Sequence, residues 1–214
     1  MNRTLTVTSA ASDLHLLSIE EMRSAAGITG SGQDTALQAF GLTVAAAITS
    51  ECKVAPGEGA EPTLKRETLS ETFRQVDIWH LFLSRRHGVD ITSITVDGTA
   101  LEETEFEVAA ESGKLTFLVE DEPAKWVANK VVVVYAAGFT TIPGDLKMAA
   151  SDFFRLGWLE KSRDPSLKSQ EIDIPGVERV RSDYWVGAVP GQANEGAVPS
   201  VVSGQLQRFR VYGL

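Results

Sequence analysis

Cysteine is almost absent from this chain of 214 residues: Cys52 is the only one, so no internal disulfide can form. A core of this size needs none. Long hydrophobic runs are missing too. No stretch approaches the roughly 18 apolar residues of a membrane span. The opening "MNRTLTVTSAASDLHLL" lacks the uninterrupted apolar segment of a signal peptide. The expectation is a soluble protein made in the cytoplasm, with no membrane partner. Positive charge is also scarce: 20 Lys and Arg face 29 Asp and Glu, a formal net charge of −9. That balance excludes broad electrostatic adhesion to nucleic acid or anionic membrane. It leaves room for DNA to pass nearby without being gripped.

Catalytic and cofactor signatures are absent as well. Histidine occurs only as His15, His80 and His87, with no HExxH or Cys/His ligand spacing, so no metal site is expected. "VVVVYAAGFTTIPGDLKMAA", residues 131–150, runs from strand through glycine to helix, as phosphate loops do. A P-loop, however, needs glycine, four residues, then Gly-Lys-Ser/Thr. Here Gly138 stands six positions before Gly144, and Asp145 puts an anion where phosphate would sit. "GITGSGQDT" matches only the first two glycines of a dinucleotide fingerprint and follows a helix, so it reads as a helix–helix connection. Cys52 is either a small buried filler or a nucleophile, the filler being the commoner case. Ser18 lies in no GxSxG elbow. The pairs Glu102-Glu103 and Glu120-Asp121 flank hairpins and read as solvated turns. No catalytic residue, metal or cofactor is expected, and the chain reads as non-enzymatic.

What is present is a clear change of period along the chain. "SIEEMRSAAGI" opens with Ser18 and Glu21 in capping-box spacing and ends at Gly27, a left-handed cap. In "DTALQAFGLTVAAAITSEC", residues Ala36, Leu37, Phe40, Val44, Ala47 and Ile48 recur at helical spacing. Residues before Ser18 read as a lead-in segment. After the loop "KVAPGEGAEPTLKRE" the period drops to 2 through "ETFRQV", "IWHLFLS", "ITSITVDG", "FEVAA", "KLTFLVE" and "KVVVVYAA". Asp97-Gly98 and Ser112-Gly113 mark hairpins. The run 131–134 reads as a central strand covered on both faces. Leu146, Ala149, Ala150, Phe153, Phe154 and Gly157 then form the apolar stripe of another helix. Beyond Lys161 the chain turns polar and rich in proline and glycine, though "PSVVSGQLQRF" fits a short terminal helix.

The expected fold class is α+β: a small helical bundle with an inserted antiparallel β-sheet or sandwich lobe and an extended C-terminal arm. Residues 1–161 form the core, with helices over 18–26, 34–51 and 145–160 and a β lobe over 68–137. Residues 162–214 form the interaction arm. In it Tyr184, Trp185, Phe209, Arg210 and Tyr212 are candidate interface residues, because aromatics and arginine anchor interfaces; the competing reading is that the aromatics pack on their own domain. Arg85, Arg86 and His87 are candidates for a loop facing a partner or a channel, against the reading of a solvated tip.

The ordered set "SIEEMRSAAGI", "QDTALQAFGLTVAAAI", "ITSITVDGTALEETEFEV" and "SGKLTFL", ending in the tyrosine–small–small–glycine close of residues 135–138 and the Pro-Gly-Asp-Leu-Lys helix start, carries a resemblance. It resembles the gp6-like head–tail connector (adaptor) proteins of long-tailed phages and phage-derived gene transfer agents, over residues 14–161. That resemblance implies a structural virion subunit made in the bacterial host cytoplasm. It further implies a homo-oligomeric ring, a dodecamer, docked under a portal protein and presenting a surface to a tail-completion or stopper protein, with DNA passing through without specific binding. An alternative from another class is a β-rich carbohydrate-binding module using Trp79, Trp126 or Trp185 as a stacking platform. A hydrolase built on scattered acidic residues has no supporting motif.

Overall fold

The computed structural model describes residues 1–159, 169–174, 178–183 and 197–211. They fall into two compact units. One takes Met1–Leu14, Lys53–Pro143 and Val211; the other takes His15–Cys52 and the described residues of Gly144–Arg210. The fold is α+β, as expected.

The first unit is all β. Its strands are β1 (Asn2–Ser9), β2 (Glu67–Ile78), β3 (His80–Phe82), β4 (Asp90–Val96), β5 (Thr99–Ala100), β6 (Phe106–Ala109), β7 (Lys114–Val119), β8 (Glu122–Ala124) and β9 (Trp126–Ala137). They make a five-stranded sheet in the order β1-β2-β9-β4-β5 and a second sheet in the order β3-β7-β6, with β8 paired to β7. Every pairing is antiparallel. The inward faces meet in one apolar core that includes Leu5, Leu69, Phe73, Leu81, Leu115, Trp126, Val131 and Val133. Each such side chain contributes about 1.5–3 kcal/mol by leaving water.

Three sequence expectations meet the structure here. Asp97-Gly98 does turn β4 into β5, with φ of 48° and 95° at the two residues. Both are positive, as the tight hairpin turn that matches strand twist requires. The Asp97 carboxylate also accepts the amide N–H groups of Asn129 and Lys130, at 3.1 and 2.7 Å. The run 131–134 is central in its sheet, but it is not covered equally on both faces. Val131, Val133, Tyr135 and Ala137 are buried, while Val132, Val134 and Ala136 are half-buried. The lead-in segment is itself a strand: β1 runs antiparallel to β2, with Leu5 opposite Glu71 and Val7 opposite Leu69. Thr4 and Thr6 alternate with Leu5 and Val7, a period of 2 too brief to stand out.

The second unit is mainly helical: α1 (Ile19–Ala26), α2 (Asp34–Glu51), α3 (Gly144–Leu159) and α4 (Ser200–Gln205), with a hairpin of β10 (Ser169–Ile174) and β11 (Glu178–Asp183). The capping box opening α1 is complete. The Ser18 amide donates to Glu21 at 2.7 Å, and the Glu21 amide donates to the Ser18 hydroxyl at 3.3 Å. Phe40 on α2 meets Phe154 on α3 edge-on at 5.0 Å, and Trp158 stacks on Phe154. Gly157 makes this possible, because a Cβ there would stand 2.6 Å from the Phe40 ring.

Candidate functional site

The tyrosine–small–small–glycine close of β9 is built into a buried polar cluster. Glu71 on β2 is fully buried. Its carboxylate accepts the Tyr135 hydroxyl at 2.8 Å and the Ser84 amide and hydroxyl at 2.9 and 2.6 Å. Arg3 stands 3.5 Å away. Burial raises the Glu71 carboxyl above its ordinary pKa in spite of these donors. Burial likewise pushes the Tyr135 phenol well up, reinforced by the Glu71 charge. Gly138, at φ +100°, lets the chain pass so close that a Cβ would lie 2.3 Å from the Lys65 carbonyl oxygen. Its amide donates to the His87 carbonyl at 2.8 Å, and the Phe139 amide donates to that of Leu64 at 2.8 Å. The motif is therefore a lock on the β3–β4 connection.

That connection carries the three loop candidates, and the structure separates them. Arg85 does not face outward: it is buried, its guanidinium donating to the Thr63 carbonyl at 2.8 Å and lying 3.4 Å from the equally buried Glu67. A buried carboxylate on β2 needs a countercharge, and Arg85 supplies it. Burial lowers the Arg85 guanidinium and raises the Glu67 carboxyl, each opposed by the other's charge. Arg86 and His87 are half-buried. His87 stacks on Phe139, ring centres 5.2 Å apart.

Of the C-terminal candidates, Tyr184, Trp185 and Tyr212 lie outside the described residues. Phe209 is 1% exposed, and Val202 and Leu206 are buried as well. Arg210 pairs with Glu51 at the end of α2. Ser203 donates to the same carboxylate at 2.7 Å, and Gln205 donates to Asp152 at 3.0 Å. Cys52 is buried, and burial with the neighbouring Glu51 charge pushes its thiol up to about 12. That is the filler, not an activated nucleophile.

One cavity stands out, and the sequence reading missed it. It measures about 370 Å³ and is lined in part by Arg3, Lys53, Ile78, His80, Phe82 and Arg86. Its described lining holds no carboxylate, although the chain is strongly acidic. Arg86 Nε is buried and makes no hydrogen bond. Burial, then the like charge of Arg3, lowers the Arg86 guanidinium. The only advance signal was Arg3 in phase with Leu5 and Val7 on β1. Of the stacking candidates, Trp126 is 1% exposed and cannot serve as a platform; Trp79 is 57% exposed. Among the described residues, no group of three or more His, Cys, Asp or Glu side chains is placed to hold a metal, and no helix is long and apolar enough to cross a membrane.

The geometry thus defines an α+β chain whose antiparallel sandwich is interrupted in sequence by helices and carries buried polar locks and a cation-lined cavity. No family model matches the chain, and no curated protein matches it. Among solved structures, its fold is shared by a chain from the neck of an empty gene transfer agent (GTA) particle computed with C6 symmetry. The two are 14% identical with a TM-score of 0.57, over 99% of this chain and 97% of that one.

Proposed function

We propose that this chain is a non-enzymatic structural subunit of the head–tail connector of a tailed phage or gene transfer agent, located in the particle and assembled as a ring beneath the portal. The observation that carries this reading is the shared fold, nearly end to end, with a chain from the neck of a gene transfer agent particle. The ordered sequence motifs of residues 14–161 support it independently. A dodecamer is compatible with a six-fold operator, and heterologous contacts that close on themselves make rings. The net charge of −9 suits a wall past which DNA slides, since Lys and Arg contacts to phosphate dominate nonspecific grip. Tyr184, Trp185 and Tyr212 are the proposed portal contacts in the C-terminal segment; the opposite side of the ring would receive a stopper protein.

The test is reconstitution. Purified chain mixed with the portal protein of its own particle should form portal-capped rings by negative-stain electron microscopy. A chain that neither binds portal nor forms rings at any accessible concentration sinks the proposal.

A further inference from the structure

The cavity and the topology of the β unit together suggest how copies of this chain would meet. The cavity lies on one flank of the sandwich, where β1 is the edge of the first sheet and β3 an edge of the second. β5 and β6 are the edges on the opposite flank, joined by Leu101–Glu105. That join and the start of β6 form an acidic ridge: Glu102, Glu103 and, on β6, Glu107 are exposed. It is held in shape by a one-turn 3-10 helix, Glu103–Glu105, where the Glu102 amide donates to the Glu105 carboxylate at 2.8 Å. The ridge is therefore ordered before it meets anything.

We propose that the cation-lined cavity of one copy receives the acidic ridge, Glu102–Glu107, of a second copy, so that copies join head to tail. The inference rests on the ring reading above and names its interface. Three observations carry it. The cavity gathers Arg3, Arg86 and His80 without a carboxylate in its described lining, and Arg86 Nε is buried with no acceptor. Arg3 reaches buried Glu71 only at 3.5 Å and keeps its side chain 48% exposed, so it has capacity for a further anion. The volume falls within the range of functional pockets, roughly 300–1,000 Å³.

Within one chain Glu107 lies two strand spacings, about 10 Å, from His80 of the cavity, through Thr116 on β7. The cavity and the ridge are different patches, so a contact between copies is heterologous. Among the described residues the Glu58 loop pairs with the outer edge of β1 at Leu5–Val7, through the Val7 amide to the Glu58 carbonyl and the Glu58 amide to the Leu5 carbonyl.

Charge reversal tests this directly. Arg3→Glu/Arg86→Glu and Glu103→Lys/Glu107→Lys are purified separately, checked for native circular dichroism, and followed by sedimentation velocity at low salt. Each variant alone should self-associate about tenfold more weakly or worse than wild type. An equimolar mixture should recover assembly, because acidic cavities then face basic ridges and basic cavities face acidic ridges in alternation. The ridge variant, altered only at exposed positions, remains informative if the cavity variant misfolds. Unchanged assembly in the ridge variant, or no recovery on mixing two folded variants, overturns the interface while leaving the connector reading intact. Wild-type protein that stays monomeric at low salt overturns it too, and portal binding decides the connector reading separately. A cavity variant that loses affinity for single-stranded DNA while still assembling would assign the cavity to nucleic acid instead and overturn the proposal.

Discussion

Glu71 is a carboxylate inside a β core, and its surroundings set its titration. Burial raises its pKa above 4.5 and outweighs the Ser84 and Tyr135 donors. The folded state therefore holds this proton more tightly than the unfolded chain does. The stabilisation from this group is fully present below pH 4.5 and is lost as pH rises through the folded value. Relative to Glu71→Gln, wild type should be most stable near pH 4.5 and lose that advantage toward neutral pH, measured by urea midpoints across the interval. An advantage that grows with pH would show that the three hydrogen bonds, not burial, dominate. Arg85 teaches a related point. An arginine next to another arginine in a loop looks like a surface cation, yet buried Glu67, 3.4 Å away at the start of β2, claims it.

At the scale of elements, the end of β9 fixes the path of the β3–β4 connection. Gly138 combines a positive φ with backbone contact to Lys65, and both demands fall on one residue. Gly138→Ala should cost about 1–3 kcal/mol or more, since left-handed strain and displacement of a neighbouring strand end add. Chemical denaturation of the full chain measures it, and a cost below about 0.5 kcal/mol would mean the loop repacks freely. The terminal helix α4 behaves as an integral element of its unit. It buries Val202 and, just beyond its end, Leu206 and Phe209, and Ser203 within it and Arg210 after it share the Glu51 carboxylate. Within the segment that composition suggests as an arm, Val198, Val202, Leu206 and Phe209 are buried.

At the scale of the whole molecule, charge is distributed so that net acidity conceals a basic cavity. Association through that cavity involves partly exposed charges and is screened by salt. Raising ionic strength from about 0.05 to 0.5 M should shift wild-type chain toward monomer in sedimentation velocity; Glu103→Lys/Glu107→Lys should show little of that dependence. A salt-independent assembly would point to apolar contacts elsewhere as the source of association.

Local chemistry alone determined much of this protein. The capping box at Ser18, the helical stripes of α2 and α3, the Asp97-Gly98 turn and the α+β class all follow from interactions within a few residues, and such interactions are written in spacing. Only the tertiary structure decided the rest. β1 was hidden because Leu5 and Val7 gain their burial from a strand distant in sequence. Glu71, Arg85 and Phe209 changed meaning because burial and pairing depend on what folds over them. The cavity of Arg3, Lys53 and Arg86 draws on four separated segments, so no window of sequence contains it. The stretch from Tyr135 to Gly138 belongs to both accounts: its spacing was legible as a marker, and its reason, a phenol on a buried carboxylate and a glycine against a backbone carbonyl, was not.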